Sequence, residues 1–309
     1  MRVIDIENIN FAMHNETQFV LRCEEVFHDK IQTAVATVLP TRQTRPFIML
    51  AGPSGSGKTT TAMRLQDYLE NLGIPVCLLS MDNFFFARED RPAAAAADQE
   101  SPLSVNIDLL VSCMERLAAG ETVDIPVFNF RAGRPLKTKK IRGAKDAFII
   151  VEGLHSLNPL ILDKVKGKSV GVYVAPRTRI ITAEDKIIKP EQLRVARRLI
   201  RDYNTRGHSP RDTVMAAENV NRGEINYIMP FKSNASIHID TFHDYEPCIL
   251  SKYLQEIPRF REELDPTFVE EHNLTDLMKF VNEVAPLRTG YVPRNSIVRE
   301  FVGGSCYHY

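Results

Sequence analysis

The chain has 309 residues, 44% hydrophobic and 25% charged, enough apolar material for one large α/β domain with a sizeable core. Lys plus Arg equals Asp plus Glu at 39 each, so no global field points to nucleic acid or a membrane surface. Five scattered cysteines without a metal-type cluster, early acidic residues (Asp5, Glu7) and the lack of any ~20-residue apolar run predict a soluble cytoplasmic protein with reduced thiols.

Phe19, Val20, Cys23, Val26, Phe27, Ile31 and Val35 recur at three- and four-residue spacing, which predicts an amphipathic helix over residues 16–38. A polar linker bracketed by Pro40 and Pro46 follows. Residues 47–51 are a continuous apolar run, the pattern of a strand buried on both faces. Residues 52–59 read Gly-Pro-Ser-Gly-Ser-Gly-Lys-Thr and match G-x-x-x-x-G-K-[ST] at every fixed position. Glycines permit the dihedrals that turn backbone N–H groups onto phosphate oxygens. Lys58 places a point charge on the outer phosphates, the Thr59 hydroxyl suits Mg²⁺, and the helix that opens here adds its positive end. Gly52, Ser54, Gly55, Ser56, Gly57, Lys58, Thr59 and the adjoining Thr60 are thus the expected ATP contacts. Ala62, Leu65, Leu69 and Leu72 continue the helix, and Gly73 closes it.

Residues 76–79 predict the next buried strand. Asp82, just beyond it, is placed either to take the proton of an acceptor hydroxyl or to form a turn with Asn83. Residues 87–102 read as a polar, alanine-rich loop, followed by a helix over 106–118 that Gly120 stops. Buried strands are expected at 148–151 and 170–174. Glu152 ends the first of them, at the crevice where parallel sheets bind ligands, and can hold Mg²⁺ directly or through water. Over 191–204 a charged helix sets Arg194, Arg197, Arg198 and Arg201 on one face, with Arg206 just past its end. Like charges in register suit a polyanion, which predicts a mobile cover over ATP; a solvated face or an RNA-binding face would read the same way. A fifth strand at 235–239 and helices at 246–264 and 274–284 complete the pattern.

Taken together, Ala51–Thr60, Ser80–Phe84, Pro126–Phe130, Val151–Pro159, Arg194–Gly207, Pro230–Phe231 and the tail from Val292 to Cys306 resemble the uridine kinase and nucleoside kinase family of P-loop kinases. The tail is the most discriminating piece and resembles a branch often fused to a threonyl-tRNA synthetase-like N-terminal region, which is expected to be absent here because only residues 1–45 precede the first buried strand. The resemblance implies a P-loop NTPase-type α/β fold, a mostly parallel sheet flanked by helices. It implies an N-terminal helical segment (1–45), a kinase domain (46–245) and a C-terminal helical extension with its tail (246–309). It implies transfer of the γ-phosphoryl of ATP, with Mg²⁺, to the 5′-hydroxyl of a nucleoside. Asp82 is then the base, with Lys58, Arg197 and Arg201 on the transferring group. Arg198 and Arg206 join the ATP site, while Thr59 and Glu152 hold the metal. Asp98 and Glu100 would hold ribose hydroxyls, Phe128 would lie near the base, and Arg194 and Arg197 near acceptor and phosphates. Typical members carry Tyr-Asp-Phe and then a base-reading histidine. Here the segment is Phe128-Asn129-Phe130-Arg131-Ala132-Gly133, without one, so a tolerant or altered base preference is expected. A sugar phosphate or pantothenate-like acceptor, or a nucleotide-switched binding protein, remains an alternative. The partner expected is a small hydroxyl-bearing molecule, with neither nucleic acid nor membrane, and room for a homo-oligomer.

Overall fold

The computed structural model describes residues 2–308 except Ala97, Gln99 and Arg131. Among the described residues ten strands occur in chain order: β1 Val3–Asp5, β2 Phe47–Ala51, β3 Val76–Ser80, β4 Thr122–Asn129, β5 Arg134–Arg142, β6 Phe148–Glu152, β7 Ser169–Ala175, β8 Arg179–Ile181, β9 Ile187–Ile188 and β10 Ile237–Asp240. Five of them form a parallel sheet in the order β10-β7-β2-β6-β3, an arrangement that needs helical crossovers. The apolar runs at 47–51 and 148–151 are buried throughout, as strands covered on both faces must be. Their side chains alternate between two cores. Ile48, Leu50, Phe148 and Ile150 face one, while Phe47, Met49, Ile149 and Val151 face the other.

The first core takes in the helix Glu16–Val38 through Val20, Phe27, Ile31 and Val35, and the C-terminal helices through residues such as Ile249, Phe260 and Phe280. The residues before the P-loop strand and those after β10 therefore share one interior with the sheet. Val26, expected on the apolar stripe of that helix, is exposed, and so is Leu72 at the end of the P-loop helix. The second core is closed by the helix Ile107–Ala118, capped by Asn106 through a hydrogen bond from Leu109 N (3.0 Å).

Several elements differ from expectation. Residues 246–264 form two helices, Glu246–Glu256 and Pro258–Glu263, because Pro258 cannot continue the first. The charged helix ends at Arg201 and is followed by a π-helical turn, Asp202–Arg206, closed by Gly207. The antiparallel hairpin β4–β5, the small sheet β1-β8-β9 and the helix Pro210–Tyr227 were not expected. No helix among the described residues is long and apolar enough to cross a membrane.

Candidate active site

A cleft of about 1140 Å³ lies along the carboxyl ends of β2, β3 and β6, where parallel sheets concentrate their ligand sites. The phosphate loop forms its floor. Gly57 is the N-cap of the helix Lys58–Asn71 and adopts φ +83°, a conformation glycine takes without penalty. Lys58 is half-buried and donates from Nζ to the Pro53 carbonyl (3.0 Å). Burial pushes its pKa down, and the nearby carboxylates Glu152 and Asp82 oppose that shift. Ser54, Gly55 and Thr59 also line the cleft, whereas Gly52, Ser56, Gly57 and Thr60 lie buried beneath the loop.

The two predicted carboxylates meet this floor. Asp82 sits in the single turn Met81–Phe84 after β3, anchored by buried Met81 and Phe84. Asn83 Oδ1 accepts from the Phe128 N–H (3.3 Å), which ties the turn to the β4–β5 hairpin at its register shift. Glu152 ends β6, in register with Leu50 of β2 and Ser80 of β3. Gly153 follows because Met81 packs against it: a Cβ there would lie 2.6 Å from the Met81 side chain. Burial raises the Asp82 carboxyl despite Lys58, Arg206 and Arg201. Burial and then Asp82 raise Glu152 to about 7. Oxygen ligands from Thr59 and these carboxylates, beside the phosphate loop, fit Mg²⁺, which is commonly held by one or two carboxylates together with substrate phosphates. Among the described residues no cluster of three or more His, Cys, Asp or Glu forms a metal cage without substrate.

The cleft is also lined by aromatic and cationic residues. Phe85, Phe128 and Phe130 contact one another with ring centroids 5.2–6.2 Å apart. Arg88 and Arg91 line the cleft as well, as does Glu100, whose carboxyl is raised by burial and by Asp98. Asp98 itself does not line the cleft; it accepts from Tyr227 Oη (2.8 Å) and from Glu100 N (3.0 Å). Arg131 of the predicted base-side segment lies outside the described residues.

The arginine helix Pro190–Arg201 corrects the expectation of one shared ligand face. Arg197 is 0% exposed and points away from the cleft. It makes a two-pronged pair with Glu246, also 0% exposed, and donates to the carbonyls of Gly55 (3.0 Å) and Thr241 (3.1 Å). Its guanidinium lies 4.8 Å over the Phe301 ring. Arg194 is buried against Glu224 (2.7 Å) and reaches the Ser54 carbonyl (3.3 Å). These two hold the loop from behind. Arg198, Arg201 and Arg206 line the cleft, the last two flanking Asp202.

Sequence reasoning missed two contributors. Glu300, half-buried in the tail, lines the cleft and accepts from both the Thr60 N–H (3.2 Å) and hydroxyl (2.7 Å). The tail packs on along the same helix: Ile297 lies against Gly57, Asn295 O accepts from Arg64, and Tyr307 Oη donates to Asp67. His155, three residues past Glu152, is 3% exposed and also lines the cleft. The tail was marked as distinctive, without a role; His155 stood within the matched segment Val151–Pro159 but carried no periodic or motif signal of its own.

The profile of the Phosphoribulokinase / Uridine kinase family matches residues 47–246. A uridine kinase of Saccharomyces cerevisiae is 28% identical over 209 residues, covering 65% of this chain and 38% of that protein, so the chain spans well under half of that relative. A uridine kinase of Deinococcus deserti is 27% identical over 219 residues, covering 68% of this chain and 94% of that protein. Among solved structures, a proposed fructose transport system kinase from Silicibacter sp. TM1040 shares the fold with a TM-score of 0.51 at 19% identity, over 69% of this chain and 98% of that one.

Proposed function

The chain belongs to the phosphoribulokinase / uridine kinase family, and on that premise we propose that it is an ATP-dependent kinase that phosphorylates the 5′-hydroxyl of a nucleoside. The observation that carries this reading is the convergence of Lys58, Thr59, Asp82 and Glu152 on a single cleft that the aromatic group around Phe128 also lines. Phosphoryl transfer asks a protein chiefly for positioning and charge stabilisation. Asp82, its carboxyl raised by burial, takes the proton of the acceptor hydroxyl and aims the oxygen at the γ-phosphorus. Lys58, Arg201 and Arg206 stabilise charge on the transferring group. Thr59 and Glu152 would hold Mg²⁺, which when bound neutralises phosphate charge. Phe128, with Phe85, offers a face on which a base can stack.

A second reading is favoured by Arg88 and Arg91: two further cations lining the cleft suit an acceptor that carries its own anionic group, such as a sugar phosphate. ADP release measured over a panel of nucleosides and phosphorylated sugars separates the two. Stimulation by nucleosides supports the first reading and stimulation by anionic acceptors alone the second. Release that no acceptor stimulates leaves a nucleotide-switched protein. In the first two cases Asp82→Asn should bind ATP normally and turn over roughly 10²–10⁴-fold more slowly. Turnover within a few fold of wild type would move the base elsewhere.

A further inference from the structure

The hairpin segment 128–133 holds no histidine to read a base, yet the fold delivers one to the same cleft from another element. His155 stands in the turn after β6. Its carbonyl accepts from Asn158 N (2.8 Å), and Ser156 Oγ donates to the Gly153 carbonyl (3.3 Å), so the turn is fixed. The imidazole meets the Tyr227 ring edge-on (6.2 Å, 84°), and Tyr227 is itself held by its bond to Asp98. The ring is thus packed in one orientation against the helix Pro210–Tyr227.

Its Nδ1 atom is buried and no described protein group meets it at hydrogen-bonding geometry, although backbone groups of Glu100 and Tyr227 lie near the ring and oppose the fall in its pKa. A polar atom left unpaired in an interior is costly, so each one calls for a partner such as a ligand or a water. This one belongs to a side chain that is 97% buried and still borders the open cleft. Burial, with Lys58 adding to it, keeps the ring neutral by lowering its pKa to about 4. A neutral imidazole both donates and accepts. On the wall beside it stands Glu100, and Phe128 with its aromatic neighbours supplies a stacking face in the same cleft.

We propose that His155 is the residue that reads the hydrogen-bonding edge of the acceptor's heterocyclic base, and so sets base preference. This rests on the nucleoside reading above. Stacking on Phe128 tolerates every base, whereas a buried polar atom that a wrong base leaves unpaired discriminates. The inference makes the missing hairpin histidine a relocation of the reading group, with a sharper base preference than Phe128 alone would give.

The test compares kcat/KM for uridine, cytidine, adenosine and guanosine in the wild type, His155→Phe and His155→Asn, with calorimetric ATP affinity as a check on the fold. Phe keeps ring volume and removes both nitrogens; Asn keeps a polar atom near the Nδ1 position. The expected result is that His155→Phe raises KM for the preferred nucleoside about 10-fold or more and flattens the ranking among bases, while ATP affinity stays within about two-fold. His155→Asn should recover part of the ranking. If His155→Phe does not fold, the Asn variant decides alone: an altered ranking of bases supports the role. Nucleosides accepted with an unchanged ranking, or all weakened equally, overturn this inference and leave the nucleoside reading intact. No nucleoside accepted at all overturns both.

Discussion

Replacing Arg197 by methionine separates a structural role from a catalytic one, because the structure predicts the size of the defect. Arg197 and Glu246 are both fully buried and joined by two hydrogen bonds, and the same guanidinium donates to the carbonyls of Gly55 and Thr241. Arg197→Met keeps much of the volume. It leaves the Glu246 carboxylate in the interior without a cation and removes a donor from two carbonyls. Breaking a buried pair from one side costs about 3–5 kcal/mol, a large part of a typical total of about 5–15 kcal/mol. Urea unfolding should show that loss as a lower midpoint. Arg197→Lys should recover little, since one ammonium cannot replace a two-pronged fork. Arg197→Met combined with Glu246→Leu should recover most of the stability, because removing both charges removes the uncompensated one. If Arg197→Met unfolds within about 1 kcal/mol of wild type while kcat falls by 10² or more, the strut reasoning fails and Arg197 acts on the phosphates.

Lys58→Ala should leave the fold intact and lower kcat/KM for ATP by roughly 10²–10³, as expected for a lost charge clamp; near-normal turnover would refute the phosphate-loop assignment. Glu300 places a negative charge on the Thr60 donors at the start of the phosphate helix, so Glu300→Gln should tighten ATP binding by about 3- to 10-fold; weaker binding by calorimetry would mean that the carboxylate positions Thr60. His155 titrates near 6.5 when unfolded and about 4 when folded, so the unfolded chain binds the extra proton. Stability is complete above about 6.5 and is lost as pH falls toward 4, by an amount of order 3 kcal/mol. His155→Asn should have a shallower acid-unfolding slope over that window, and an unchanged slope would place the imidazole in water.

What the sequence made legible was whatever depends on local pattern. The strands at 47–51 and 148–151 are runs of apolar residues, and the phosphate loop is a contiguous motif, so Lys58, Thr59 and Glu152 stood out from local pattern alone. The hairpin strand Arg134–Arg142 could not. It is exposed along nearly its whole length and rich in lysine, and a strand without a buried face has no alternating signature. The helix Pro210–Tyr227 did carry a signal, since Ser209 caps it and Pro210 opens it, but its apolar stripe is sparse. The arginine face misled for a different reason. Arg194 and Arg197 look solvated until Glu224 and Glu246, 30 and 49 residues further along, fold back to neutralise them. Partners at that separation leave no mark in a local window.

The contact between Glu300 and Thr60 joins residues 240 positions apart. During synthesis the phosphate loop and its helix emerge long before the tail that packs on them. Until residues 295–301 are made, Gly57 lacks its Ile297 neighbour, Thr60 lacks the Glu300 carboxylate, and Arg197 lacks the Phe301 ring. Such non-local closure is slow compared with local helix formation. A nascent chain therefore carries a recognisable nucleotide loop whose surroundings are unfinished. The order of translation itself delays a finished phosphate site until the sheet and the second core have had time to form, while the first core, which holds Ile297, Val298 and Phe301, closes together with the tail, and ribosome-bound fragments ending before residue 295 should bind nucleotide with altered affinity.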